Sequence, residues 1–224
     1  MRLTIFGATG GTGRHLVRQA LDEGHQVTAV ARNPAQLDVE HERLQVVRGD
    51  VLELESIIGA VAGADAVLSA IGHDGGRAPT TVYSAGTANI VRAMQATGTR
   101  RLVVVSAAPV SDNLEGTTLP YRRVVRPLLW AMFGNPYSDM AGMQEEVAGS
   151  GLEWTIMLPP RLTNKPRTGR YRLALNGNLR GGNFISRADL ADAILRLLDD
   201  PGAVKAVVGD TSGNRRCPRR HRRS

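Results

Sequence analysis

The first fourteen residues constrain this chain most. Leu3-Thr4-Ile5-Phe6 is a short apolar run with β character, and Gly7-Ala8-Thr9-Gly10-Gly11-Thr12-Gly13 follows at once, ahead of a helical pattern. Strand, glycine-rich turn and helix form the order in which a G-x-x-G-x-x-G spacing points to dinucleotide binding. Gly7 lets the chain turn sharply off the strand. Gly10 leaves no side chain between the backbone and a diphosphate, and Gly13 lets the helix lie close on a sheet. Amides at the positive end of the helix then face the phosphates. A tight turn in an α/β protein that binds nothing has the same spacing.

The remainder of the chain alternates strand and helix. Leu16, Val17, Ala20 and Leu21 recur at helical spacing, and Gly24 closes that helix. Strands are expected at Gln26–Ala31, Leu44–Arg48, Asp65–Ala70 and Arg101–Ser106, and a helix at Glu53–Ala62. Thr80 or Thr81 is expected to cap a long helix running to Thr97. Leu102-Val103-Val104-Val105 is a continuous apolar run suited to an interior parallel strand covered on both faces. The fold class is therefore α/β, a Rossmann-like doubly wound parallel sheet with a small C-terminal substrate-side region. Past Ala107 come a turn-rich stretch, then an apolar helical face (Val124, Val125, Leu128, Leu129, Met132, Phe133) interrupted by Pro127, and a second helix over Ser138–Ala148. Trp154–Leu158 reads as strand six, Tyr171–Leu175 as an excursion strand of the outer region and Ala203–Val208 as a last strand. Ser186-Arg187-Ala188-Asp189 is a capping box opening the last helix. One domain over 1–213 is expected, with 107–150 and 159–186 on the substrate side.

The formal charge of +7 suggests nucleic acid, but its location argues otherwise. Six arginines fall in the last ten residues; without them 22 basic residues face 21 acidic ones, a net of +1. Residues 214–224 read as a disordered arginine-rich tail with at most non-specific affinity for polyanions, so no specific nucleic-acid partner is expected. The single cysteine, Cys217, excludes an intrachain disulfide framework. With a strand from residue 2 and no long apolar stretch, the chain reads as a cytoplasmic protein with no membrane partner, monomer or homodimer.

Arg32 follows the second strand, where an acid would bind a ribose 2′-hydroxyl and an arginine instead favours a 2′-phosphate, hence NADP(H). Asp50 is equally suited to accept the adenine amine or to cap the following helix. Ala70-Ile71-Gly72 closes the fourth strand, where a small-residue backbone would pass under the nicotinamide-side ribose. Ser106 ends the fifth strand and is expected to point into the cleft; no G-x-S-x-G elbow surrounds it, which excludes a serine hydrolase. Arg161 could meet an anionic group or only solvent. His73 sits in a polar loop beside the same cleft, and Met132, Phe133, Tyr137, Met140 and Met143 read as core or pocket lining. The five histidines and the cysteine have no metal-ligand spacing, so no metal is expected.

Taken together, Phe6-Gly7-Ala8-Thr9-Gly10 with Gly13, Arg32, Gly49-Asp50-Val51, Pro79-Thr80-Thr81-Val82 leading to Gly86, Asn89-Ile90-Val91, Ser106-Ala107 and Gly151-Leu152 before Pro159-Pro160 resemble an atypical short-chain dehydrogenase/reductase of the NmrA-like NAD(P)-binding family, and within it the biliverdin reductase B / flavin reductase type. The resemblance implies NADPH along the sheet's carboxyl edge. Thr9, Gly10, Thr12, Gly13 and Arg14 would surround the diphosphate and Arg32 the 2′-phosphate, with Val51 and Pro159 also on the cofactor site. Ser106 would orient the ring system that receives hydride, flanked by His73 and Arg161. The chain departs from that type at Arg161, where histidine is common, and at Gln36, where a second arginine is missing.

Short-chain enzymes that reduce ketones use a Tyr-x-x-x-Lys pair. Here Val125 follows Tyr121 at that spacing and Ala141 follows Tyr137, and no lysine precedes Lys165. Hydride transfer to a flavin or quinone asks less of the protein, because the acceptor is electrophilic and solvent supplies the proton. The expected function is an NADPH-dependent oxidoreductase with a flat conjugated acceptor, a flavin being a possible substrate. The alternative is a non-catalytic NADP(H)-sensing regulator of the NmrA-like type.

Overall fold

Residues 2–31 already form the core of the sheet. In a computed structural model describing residues 1–73, 76–114, 117–177, 179 and 182–213, β1 (Arg2–Phe6) leads through α1 (Gly11–Asp22) into β2 (Gln26–Ala31), which pairs parallel beside it. The chain continues through β3 (Leu44–Arg48), α2 (Leu54–Val61), β4 (Ala66–Ser69), α3 (Ser84–Thr97), β5 (Arg101–Val105), α4 (Arg126–Gly149), β6 (Glu153–Leu158), β7 (Arg161–Thr163), β8 (Tyr171–Leu175), β9 (Phe184–Ser186), α5 (Arg187–Leu197) and β10 (Ala206–Ser212). The main sheet runs β3-β2-β1-β4-β5-β6-β10-β8, parallel throughout except for β8, which pairs antiparallel with β10 at one edge. The fold is α/β with the helices on both faces, a Rossmann-like NAD-binding architecture.

Alternation along β1 divides the core. Leu3 and Ile5 join the apolar side chains of α1 and α5 on one face, while Phe6 packs with α2, α3 and α4 on the other. Buried Thr4, also on that second face, is satisfied by donating its hydroxyl to the Ala60 carbonyl, 2.6 Å. Buried Arg101 donates to the carbonyls of Leu197 and Glu153, both 2.8 Å, so it closes the end of α5 onto the sheet.

Several expectations are corrected. Tyr171–Leu175 is an edge strand of the main sheet, not an outer excursion. The two helices expected between 124 and 148 are the two arms of α4, which breaks at the non-helical Phe133 (φ −128°, ψ 23°) because Pro136 supplies no amide to Met132 and its ring crowds that carbonyl. Pro127 lies in the first turn, where it is tolerated, and a π-helical stretch Tyr121–Val125 precedes it. Helix α3 starts at Ser84 and is capped by neither Thr80 nor Thr81. Its first amides, Tyr83 N and Ser84 N, donate instead to the Asp139 carboxylate from α4, at 2.9 and 3.2 Å. Half of the expected capping box forms: Ser186 Oγ accepts from the Asp189 amide, 2.9 Å, while the acid at N3 is drawn to a neighbouring loop. The Asp189 carboxylate accepts from the Thr168 and Gly169 amides. Strands β7 and β9 were not expected. Cys217 and the arginine-rich tail lie outside the described residues. No helix among the described residues is long and apolar enough to cross a membrane.

Candidate cofactor and substrate cleft

Strand order reverses between β1 and β4, and a cleft of about 740 Å³ opens there at the carboxyl edge. The glycine turn forms its floor. Gly7 has φ +71°, and a Cβ there would lie 2.3 Å from the Ala70 carbonyl oxygen. A Cβ on Gly13 would lie 2.0 Å from the Gly7 oxygen, so α1 rests directly on the turn. Gly10 caps α1 without a side chain, and its amide donates to Gly7 O at 3.0 Å. The first turn of α1 thus presents its amides beside Thr9, Gly10, Gly11 and Thr12, all of which line the cleft.

Arg14 is turned away from this lining. Its guanidinium donates to the Thr9 and Gln36 carbonyls, at 2.8 and 2.6 Å, and ties the turn to residue 36. The cation that faces the glycine turn is Arg187, the first residue of α5: its Cδ and Nε would lie 2.7 Å from a Cβ on Gly11, and it lines the cleft. Its Nη1 donates to Asn164 Oδ1, 2.7 Å. Nothing in the local sequence marks this role, because it depends on α5 packing across α1. Burial, then the charges of Arg18 and Arg187, lower the His15 pKa.

Further along the edge the cleft is lined by Arg32, Asn33 and Gln36 after β2, then Asp50 and Val51 after β3. Arg32 is exposed at this rim. Asp50 Oδ1 accepts from the Leu52 amide, 3.0 Å, so part of its capacity goes to the local turn. Val51 is held from above: its carbonyl accepts from Asn89 Nδ2 at 2.9 Å, and a Cβ on Gly86 would lie 2.8 Å from its Cγ2.

At the other end Ala70, Ile71, Gly72 and His73 follow β4, and Ser106 follows β5. Ser106 is buried, and its hydroxyl accepts a hydrogen bond from Gln144 Nε2 of α4, 2.8 Å. With a lone pair so engaged, the Ser106 O–H is directed to donate elsewhere. Tyr83, also lining the cleft, accepts from the His73 amide at 3.2 Å, and His73 Nε2 is buried without a hydrogen bond among the described residues. Val82, Met140 and Leu162 add apolar wall. Pro159 is buried, its carbonyl accepting from the Ala108 amide (2.9 Å), and Arg161 is exposed at the start of β7. Neither they, Gly13 nor Arg14 belong to the lining. Tyr83 and Arg187, which line the cleft, and Gln144, which reaches the Ser106 hydroxyl behind it, escaped the sequence reading because each is brought there by an element outside the local motif. Among the described residues no cluster of His, Cys, Asp or Glu could hold a metal ion.

A dinucleotide fits these residues: the glycine cradle leaves backbone at the surface, one helix terminus and the cation Arg187 face the diphosphate position, and the cleft continues to Arg32 on one side and Ser106 on the other. The NAD(P)H-binding family matches residues 7–201, and the chain belongs to that family. Its cofactor is NAD(P)(H). The uncharacterized protein YwnB of Bacillus subtilis is 30% identical over 211 residues, covering 90% of this chain and 93% of its own. Among solved structures, a wide-type short-chain dehydrogenase/reductase from Veillonella parvula in complex with NADP shares the fold with a TM-score of 0.77, 21% identity and 96% of each chain covered. ChuY, described as an anaerobillin reductase of Escherichia coli O157:H7, does so with a TM-score of 0.78 at 21% identity, over 97% of this chain and all of its own.

Proposed function

We propose that the protein is an NADPH-dependent oxidoreductase that passes hydride to a flat conjugated acceptor, a flavin or quinone, with 107–150 and 159–186 forming the substrate side. The observation that carries this reading is Ser106, a buried hydroxyl oriented by Gln144 at the end of the cleft that Val82, Met140 and Leu162 line together with Tyr83 and His73, with no tyrosine–lysine pair beside it. Burial pushes the phenols of Tyr121 and Tyr137 up, the opposite of what proton transfer to a ketone oxygen requires.

When bound, the cofactor supplies the hydride. The chain's part is placement: Ser106 donates its O–H to a ring carbonyl of the acceptor, while Val82, Met140 and Leu162 cover a flat face and exclude water. Negative charge gathers on that carbonyl as hydride arrives, so the hydrogen bond from Ser106 strengthens in the transition state. Solvent completes the reduction by supplying a proton. Arg32, at the rim, selects the 2′-phosphate by charge-assisted hydrogen bonding.

Ser106→Ala tests this. It is expected to lower kcat roughly tenfold to a hundredfold, less than loss of a full oxyanion donor, with the NADPH Kd unchanged. Gln144→Leu is expected to act in the same direction. Unchanged kcat in Ser106→Ala would remove the serine from the mechanism.

A further inference from the structure

The stretch 119–128 exposes Leu119, Val124, Val125 and Leu128 at 59%, 62%, 43% and 58% of their surface, half of the eight large hydrophobic side chains exposed among the described residues. Val124 and Leu128 are one helical turn apart and lie on one side, with exposed Pro127 and Ala131 beside them. The segment is held rigidly. Arg126 donates to the Pro109 and Ser111 carbonyls (3.0 and 3.3 Å), pairs with Asp112 and lies over Trp130. Arg122 Nε donates to Thr117 Oγ1, 2.9 Å. Arg123 is exposed next to the apolar side chains.

We propose that this face docks on an anionic lipid bilayer, lying on its surface without spanning it. Charge selects the occupant. From residue 117 to 138 the chain carries three arginines and no acid; Arg126 is paired with Asp112, and a two-fold pairing with a second copy would set the exposed Arg122 and Arg123 against arginines. Apolar side chains flanked by arginine suit the boundary between headgroups and acyl chains. A single weak signal gives only reversible attachment, and the sequence contains a second: six arginines in residues 215–223, following β10, which ends at the sheet edge from which residues 107–125 also leave. The sequence expectation of no membrane partner rested on the lack of a spanning segment, which surface attachment does not need.

Flotation of the full chain with vesicles tests the proposal, using phosphatidylcholine alone and phosphatidylcholine mixed with phosphatidylglycerol. Binding is expected on the mixed vesicles only, and weaker at high salt. Val124→Glu with Leu128→Glu, both at exposed positions, is expected to weaken binding roughly tenfold or more. Truncation after Gly213 is expected to weaken it without abolishing the difference between wild type and the double variant. No flotation on mixed vesicles overturns the proposal. So does flotation that the double variant leaves intact, which would assign attachment to the tail alone. Sedimentation velocity supplies the remaining outcome: a dimer that Leu128→Glu dissociates, with no vesicle binding, would give this face to a second copy.

Discussion

Gly11 and Gly13 stand two residues apart in one turn, yet an added methyl group meets different neighbours. At Gly13 it strikes the Gly7 carbonyl and the Ala8 Cα, which are backbone and cannot yield. Gly13→Ala is expected to lose cofactor binding and about 3 kcal/mol of stability, read as a lowered unfolding midpoint. At Gly11 the neighbour is the flexible Arg187 side chain. Gly11→Ala is expected to keep stability within about 1 kcal/mol while weakening NADPH binding through displacement of that cation. Arg32→Ala should weaken NADPH binding roughly tenfold or more and leave NADH binding nearly unchanged; equal losses in parallel titrations would refute its phosphate role. Asp210 carries a different prediction. Both of its oxygens are buried without hydrogen bonds among the described residues, and burial pushes its carboxyl up to about 8 from an ordinary 3.8. Over that interval the native state retains a proton that the unfolded chain has released, so this group weakens the fold as pH rises from about 4 to about 8. Asp210→Asn should raise the melting temperature at pH 7, by more than at pH 5, and flatten the fall between them. An unchanged slope would assign that pH dependence to other groups.

Asp139 links two elements by serving as the cap that α3 lacks. Its carboxylate accepts from Tyr83 N, Ser84 N and the Ser84 hydroxyl, so the kinked α4 fixes where α3 begins and where Tyr83 meets the cleft. Asp139→Ala is expected to cost about 1–2 kcal/mol and to speed hydrogen exchange at the Ser84 amide. Elements governed by their own residues were legible in the sequence. Residues 26–31 and 44–48 form the strands their apolar patterns indicate, and Ser186 caps α5 as its motif requires. Elements governed by distant partners were not. Tyr171–Leu175 is peripheral by pattern because its place depends on pairing with β10, and the three-residue strands β7 and β9 pair, among the described residues, with each other. The spacing of Val124, Val125 and Leu128 indicated an apolar helical face, but periodicity cannot say what covers it, and in the fold nothing among the described residues does. Asp139 gave no signal at all, since a cap supplied from 55 residues away has no local motif.

At the scale of the molecule, the cleft is a product of strand order. The reversal between β1 and β4 brings the glycine turn, the end of β4 and Ser106 to one edge, and packing then delivers Arg187 and Tyr83 to it and Gln144 to the Ser106 hydroxyl. The glycine-turn end was therefore readable from a local motif, whereas the surroundings of Ser106 depend on α3 and α4 meeting over the sheet. NAD(P)(H) binding follows from the family, and reduction of a flat acceptor is the central proposal built on it. Its most direct test is anaerobic oxidation of NADPH by the full chain, followed through the loss of reduced-nicotinamide absorbance, against FMN, FAD, riboflavin and several quinones, with NADPH affinity measured on the same protein. Turnover with at least one of these acceptors, faster with NADPH than with NADH, is the expected result. Tight NADPH binding with no oxidation by any of them would contradict it and favour a cofactor sensor.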